Sequence, residues 1–254
     1  MTRRIAIVSG KGGVGKTTTA ANLAICLAQF GRDVTLVDAN FTTPDLTMHF
    51  GTPVGTPTLH HIMAGEYTVD QSIHTHISGL KFIPASIAIS DMKKRRYHRL
   101  EKIVEKLKGD YVILDTQAGL SSEVLSVIAA SDEVLVVTNP EWPAITDALK
   151  TIILAKEYGA HITGVVLNRV TNSKIEPNMK GLETILETNI VAIIPEDREA
   201  KEAIANKNPI VISSPNADSA IAYKQLAANI AAVPYKAPGK FSRRMARLFG
   251  KIFG

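Results

Sequence analysis

Two lysines five residues apart stand in a run of glycines and hydroxyl side chains, Ser9-Gly10-Lys11-Gly12-Gly13-Val14-Gly15-Lys16-Thr17-Thr18. This run is suited to holding phosphate. In the pattern G-x-x-x-x-G-K-[ST], glycines let consecutive backbone N–H groups turn onto phosphate oxygens, the final lysine neutralises charge, and the hydroxyl reaches a Mg2+ ion. Gly10, Gly15, Lys16 and Thr17 occupy those positions. Read alone, the run licenses only nucleotide binding.

Such a loop must be carried by a strand and followed by a helix. Ile5 to Val8 is an apolar run that predicts a buried strand, and Lys16 to Phe30 predicts a helix stopped by Gly31. With a second strand over Val34 to Val37 this is a βαβ unit, which implies parallel pairing and a right-handed crossover. Further strands are predicted at Leu80 to Ile83, Tyr111 to Leu114, Glu133 to Thr138, Ile162 to Leu167 and Ile190 to Ile194. Helices are predicted over Ser90 to Leu107, Ser121 to Ala130, Ala144 to Tyr158, Pro177 to Glu187 and Ala217 to Ala232. Uninterrupted Val, Ile and Leu mark strands covered on both faces. The expected fold is therefore α/β: a doubly wound, mostly parallel sheet with helices on both faces. Ligands in such sheets lie at the carboxyl ends of the strands, where Asp38, Asp115, Asn139-Pro140-Glu141, Asn168-Arg169 and Pro195-Glu196-Asp197 fall.

The chain of 254 residues is long enough for one full core, and 45% apolar with 21% charged residues is the balance of a soluble globule. No apolar run approaches the ~20 residues of a membrane span, and Met1 to Val8 is too short for a signal sequence. With one cysteine, Cys26, no internal disulfide can form, and a reducing cytoplasm is the expected home. The pairs His60-His61 and His74/His76 lack metal-ligand spacing.

The net charge of +5 belongs to the end of the chain. From Lys236 onward there are six basic residues and no acidic ones, which leaves 23 basic against 24 acidic residues elsewhere. Three units are expected: a body over residues 1–233, a linker over 234–240 and an amphipathic helix over 241–254. On a helical wheel Phe241, Met245, Leu248, Phe249, Ile252 and Phe253 fall within an arc of roughly 140°, opposite Arg243, Arg244, Arg247 and Lys251. Bulky apolar groups opposite a wholly cationic face suit an anionic membrane surface. Docking on its own body is the alternative; nucleic-acid binding would leave the phenylalanines without a role. One such helix binds weakly, whereas two held together gain ~100-fold or more. A second basic cluster, Lys93-Lys94-Arg95-Arg96 with Arg99 and Lys102, is either a solvated helix face or a contact for a partner or membrane.

The loop with its early Lys11, together with Val37-Asp38, Asp115 with Ala118-Gly119, Thr138-Asn139-Pro140-Glu141, Val166-Leu167-Asn168-Arg169, Ile194-Pro195-Glu196-Asp197 and the end Arg247-Leu248-Phe249-Gly250, resembles the MinD branch of the MinD/ParA family of deviant Walker ATPases. The likeness spans nearly the whole chain. It implies a P-loop ATPase using ATP/ADP and Mg2+, and a homodimer sandwiching ATP, with Lys11 reaching the partner subunit's phosphates. By the same resemblance the residues from Gly10 to Thr18 hold the phosphates, and Lys16 the β and γ groups. Thr17, Asp38 and Asp115 serve the metal; Gly119 and Arg169 belong with Asp115 to the nucleotide site; Asn168, Pro195 and Asp197 frame the base.

Two departures stand out. The family pattern Asp-x-Asp is here Asp38-Ala39-Asn40, and an amide at Asn40 can position water without taking its proton. Slow hydrolysis follows, unless Asp45 substitutes. Gln117 stands where the family often has proline, either contacting water or γ-phosphate or capping the next helix. The expected function is an ATP-driven switch, peripheral on the cytoplasmic face of the membrane, that places a protein partner such as a cell-division factor. The alternative is a ParA-like DNA-partition or cargo-positioning ATPase, disfavoured by the near-neutral body. Iron–sulfur carriers of the same fold need clustered cysteines.

Overall fold

The computed structural model of the chain describes residues 1–50, 55–171, 177 and 179–239. Its first elements are β1 (Arg3–Val8), α1 (Lys16–Gln29) and β2 (Val34–Ala39), followed by α2 (Leu46–Phe50), α3 (Leu59–Ala64), β3 (His74–Thr75) and β4 (Lys81–Ile83). Then come α4 (Leu100–Val104), β5 (Tyr111–Thr116), α5 (Ser122–Ala129), β6 (Glu133–Thr138), α6 (Trp142–Glu157) and β7 (His161–Val170). The described part closes with α7 (Met179–Leu186), β8 (Ile190–Pro195), α8 (Arg198–Ala205), α9 (Ile210–Ser213) and α10 (Asp218–Ala231).

One eight-stranded sheet runs in the order β3-β4-β2-β5-β1-β6-β7-β8. Every pairing is parallel except the edge pair β3 and β4. The strand order reverses at β1, with β5 on one side and β6 on the other, so the crevice above β1 lies at the switch point of the sheet. Alternate residues of the strands feed two cores. Ile5, Ile7, Leu36 and Ile113 pack under α1, α9 and α10, while Ala6, Val8, Val37 and Leu114 pack under α3 to α7. All eight are fully buried, and a buried Ile or Leu side chain contributes about 2–3 kcal/mol. At the end of the sheet away from the crevice, Arg3 on β1 makes a forked contact with Glu133 on β6 at 2.6 and 2.8 Å and lies over the Tyr111 ring of β5. Arg3 thereby holds the Glu133 carboxyl below its usual range.

The predicted strands are all present, and several extend one to three residues further than expected. Asp38, Asp115, Asn168, Arg169 and Pro195 therefore lie in the last rungs of strands instead of in loops. The predicted helix over Ser90 to Leu107 is not continuous. Ile89–Lys94 and Tyr97–Arg99 are separate 3-10 turns, and only Leu100–Val104 is α-helical. Four adjacent cations at a helix N-terminus oppose its dipole, and extended backbone at Arg95 lets that side chain turn toward α5. The short helices α2, α3, α8 and α9 and the two-residue strand β3 span at most eight residues each and are additional to the predicted elements.

After α10 the chain to residue 239 has no regular secondary structure, and Tyr235 packs edge-on against Phe30 at the end of α1, with ring centroids 6.0 Å apart. The expected amphipathic helix over 241–254 lies outside the described residues. Among the described residues no helix is long and apolar enough to cross a membrane.

Candidate nucleotide site

The glycine run closes β1 and opens α1, and its two ends are fixed by steric demands. A Cβ on Gly10 would stand 2.4 Å from the carbonyl oxygen of Asp147 on α6, so only glycine fits where the loop crosses that helix. Gly15 has φ 97°, and a Cβ there would also meet the Asn168 amide at 2.2 Å. From β7, Asn168 donates through Nδ2 to the Val14 carbonyl at 2.7 Å. Gly119 donates its N–H to the Ser9 carbonyl at 2.9 Å, tying the loop after β5 to the loop after β1. No side chain caps α1 and its first turn holds no acidic residue. Its leading N–H groups therefore present positive charge toward an anion in the crevice.

The two lysines part company. Lys16 is 8% exposed, and burial lowers its pKa against the opposing pull of Asp115 and Asp45. Lys11 lies at the surface with its side chain 41% exposed, and its Nζ is 2.9 Å from Oε2 of Glu141 at the start of α6. Lys16 thus serves its own crevice, while Lys11 is held beside it by a surface carboxylate.

Next to Lys16, β2 and β5 bring Asp38 and Asp115 opposite each other in register. Both are fully buried. Burial pushes Asp115 up to about 7 against the pull of the Lys16 charge and of the Thr17 hydroxyl, which stands near the carboxylate but outside hydrogen-bond geometry, so both of its oxygens are left unpaired. Asp38 is raised well above the usual carboxylate range by burial and by Asp115, although it accepts from the N–H groups of Asn40 at 3.1 Å and Leu46 at 3.2 Å. An orphaned buried carboxylate, a second carboxylate and the Thr17 hydroxyl are hard oxygen donors, and they fit Mg2+. Among the described residues no cluster of three His, Cys, Asp or Glu could hold a metal by itself. Mg2+ commonly takes one or two protein carboxylates and completes its shell with water and phosphate, and Asp38 and Asp115 supply that number.

A groove runs from Gly15 and Thr18 past Asn168, Arg169, Pro195 and Asp197. The sequence had grouped these residues, and the structure brings them together. Their roles are more structural than expected. The Asp197 carboxylate caps α8 through Glu199 N–H at 3.0 Å and accepts from the Ser219 hydroxyl at 2.9 Å, which locks α8 to α10. Arg169 sits at a shift in the β7–β8 register with φ 58°, a left-handed conformation that turns its side chain into the groove.

A family model of ParA, described as the NUBPL iron-transfer P-loop NTPase, matches residues 1–231. The chain belongs to the MinD/ParA family of P-loop NTPases. An uncharacterized ATP-binding protein of Methanocaldococcus jannaschii is 35% identical over 97% of both chains. The septum site-determining protein MinD of Pyrococcus horikoshii, solved with Mg-ADP, superposes with a TM-score of 0.87 at 32% identity, covering 91% of this chain and 96% of that one. MinD in the MinC:MinD complex of Aquifex aeolicus superposes with a TM-score of 0.79 at 26% identity, over 94% and 100% of the two chains. The iron transfer in the family description finds no thiolate pair here: Cys26 is the single cysteine, buried in α1, and burial pushes its thiol up to about 12.

This MinD/ParA-family chain departs from the expected water-positioning geometry at Asn40. The Asn40 side chain is consumed in a local turn: Nδ2 donates to the Thr43 carbonyl, and Oδ1 accepts from Thr43 N–H at 3.1 Å. Asp45 stands at the mouth with Gly13, Lys16 and Thr17, its pKa raised by partial burial against the Lys16 charge. Gln117 donates through Nε2 to the Ser121 hydroxyl at 2.5 Å, and it is Ser121 that caps α5 by accepting from Val124 N–H, so Gln117 braces the capping residue and is not itself the cap.

The Lys93 to Lys102 cluster is not a uniform solvated face. Lys94 pairs with Glu66 and Asp91, both at 2.9 Å, and Arg99 donates to the Met63 carbonyl at 2.6 Å. Arg95 reaches Glu123 on α5 at 2.8 Å and the Thr42 hydroxyl at 3.0 Å, and Tyr97 also bonds to Glu123. One buried glutamate thus joins the loop after β2 to the helix after Gly119, a link no sequence pattern announces.

Proposed function

We propose that the chain is a Mg2+-dependent ATPase of the MinD kind. In this reading, an ATP-bound homodimer holds to anionic membrane through residues 241–254, positions a protein partner on the cytoplasmic face, and leaves on hydrolysis. The supporting observation is the divergence of the two lysines. Lys16 lies buried in its own crevice, whereas Lys11 is kept at the rim by Glu141, where a second subunit could receive it. Bound Mg2+ would neutralise phosphate charge beside Thr17, Asp38 and Asp115, and a cation supplied by the partner would add to that neutralisation only in the dimer. Turnover is then tied to assembly. With the Asn40 amide committed to Thr43, hydrolysis is slow and the membrane-bound dimer long-lived.

A protein partner is supported by the likeness to MinD in the MinC:MinD complex of Aquifex aeolicus. The test is co-sedimentation with anionic liposomes in ATP and in ADP, with the full chain and with a chain ending at residue 240. ATP-dependent binding that is lost on truncation is expected. Equal binding in both nucleotides, or DNA binding that survives truncation, would overturn this reading in favour of a ParA-like partition ATPase.

A further inference from the structure

Among the described residues only four that are not glycine have left-handed backbone: Arg169, Glu187, Lys207 and Ala232. Two of them, Arg169 and Lys207, are cations, and both line the cavity that Gly13, Lys16, Thr17 and Asp45 also line. Lys207 follows the C-cap of α8 with φ 52°, donating its N–H to the Ile204 carbonyl at 3.0 Å, while Asn208 N–H reaches Ala203 at 3.0 Å. Helices commonly end in this way, but glycine is the residue that does so without strain. A lysine here carries a backbone cost that glycine would not, and a residue held at such a cost on the wall of this cavity points to a role there. Lys207 makes no ion pair among the described residues, so its ammonium group is available to a ligand.

We propose that Lys207 is a nucleotide-retaining residue whose ammonium group binds the polyphosphate of ADP and ATP from the end of α8, in the cavity it shares with the glycine loop. This deepens the nucleotide reading above and rests on it. Because both nucleotides carry the charge that Lys207 meets, its contribution is to affinity for either. It is distinct from Lys11, whose role requires a second subunit.

The experiment is isothermal titration calorimetry of the full chain with Mg-ADP and with adenosine, for the parent and for Lys207→Gly, Lys207→Gln and Lys207→Arg. The Gly and Gln variants are expected to bind Mg-ADP about ten-fold more weakly, the loss of one charge-assisted hydrogen bond, while the Arg variant stays within about two-fold of the parent. Adenosine should bind all four alike. Lys207→Gly should melt no lower than the parent without nucleotide, since it removes the left-handed cost, and this separates lost binding from lost folding. Parent-like Mg-ADP affinity in the Gly and Gln variants would overturn the role of Lys207 while leaving the nucleotide site standing. Equal weakening for adenosine would do the same. A parent chain that binds no Mg-ADP would overturn the nucleotide reading and this inference together.

Discussion

Lys11 Nζ lies 2.9 Å from Glu141 Oε2 across 130 residues of sequence, with both side chains largely exposed at 41% and 58%. An ion pair so open to water contributes about 0–1 kcal/mol, so it can orient Lys11 without holding it against a stronger anion. Glu141 is a rest position for the lysine that the proposed dimer requires.

Replacing that lysine should separate binding from turnover. Lys11→Ala is expected to retain Mg-ADP affinity within about two-fold, because Lys16 and the α1 N-terminus are untouched, and to lose ATP-dependent dimerisation and hydrolysis. Glu141→Gln should tighten the ATP dimer by no more than about five-fold, the limit set by a surface pair. Sedimentation velocity in ATP and ADP, with phosphate release measured in parallel, checks both. A dimer that survives Lys11→Ala would remove the lysine from the interface.

Asn40 and Asp45 make opposite predictions. Asn40→Asp places a carboxylate beside the crevice at the loss of the Nδ2 bond to Thr43, and turnover should rise by about ten-fold or more, short of the ~100- to 10,000-fold of a fully positioned general base. Asp45→Asn should lower the residual rate. No increase in the first variant would sink the slow-hydrolysis idea, and full activity in the second would take Asp45 out of the site.

Acid sensitivity should trace in part to His49. Burial holds this imidazole down at about 4, so the folded chain excludes a proton that the unfolded chain accepts near 6.5. A depressed histidine stabilises the fold fully above pH 6.5, and that contribution is lost as the pH falls from 6.5 toward 4. Denaturant titrations of nucleotide-free protein across this window should give a shallower pH slope for His49→Gln than for the parent.

Glu123 should behave as a structural hub. Glu123→Ala leaves Arg95 and Tyr97 without their shared acceptor and is expected to cost about 3 kcal/mol, as does breaking one side of a largely buried ion pair. Glu123→Gln keeps an acceptor oxygen and should cost about half as much. Thermal unfolding of both variants provides the comparison.

The parts of the molecule that were legible in the sequence are those whose causes are local. The glycine run carries its own conformational constraint, and uninterrupted apolar runs such as Tyr111 to Leu114 identify strands covered on both faces. Asp38 and Asp115 were legible because a parallel sheet aligns the ends of its strands. What escaped depends on contacts far apart in the chain. Asn168 braces Val14 from 154 residues away, a link invisible to periodicity, and its side chain would otherwise read only as a base contact. The break in the predicted helix over Ser90 to Leu107 has the same origin: Arg95 is drawn to Glu123, so tertiary pairing overrides local propensity. Lys207 gave no signal at all, because left-handed backbone at lysine is not written in residue type.

The contact of Tyr235 with Phe30 sets the length of a leash. Beyond it, the five residues from Lys236 to Lys240 can span at most ~17 Å even fully extended. Whatever surface takes up residues 241–254 must therefore draw the corner at the end of α1 close to itself. A tether this short transmits orientation as well as attachment: the body cannot swing to an arbitrary aspect, and two bodies moored side by side would be constrained in their tilt before any contact between them forms.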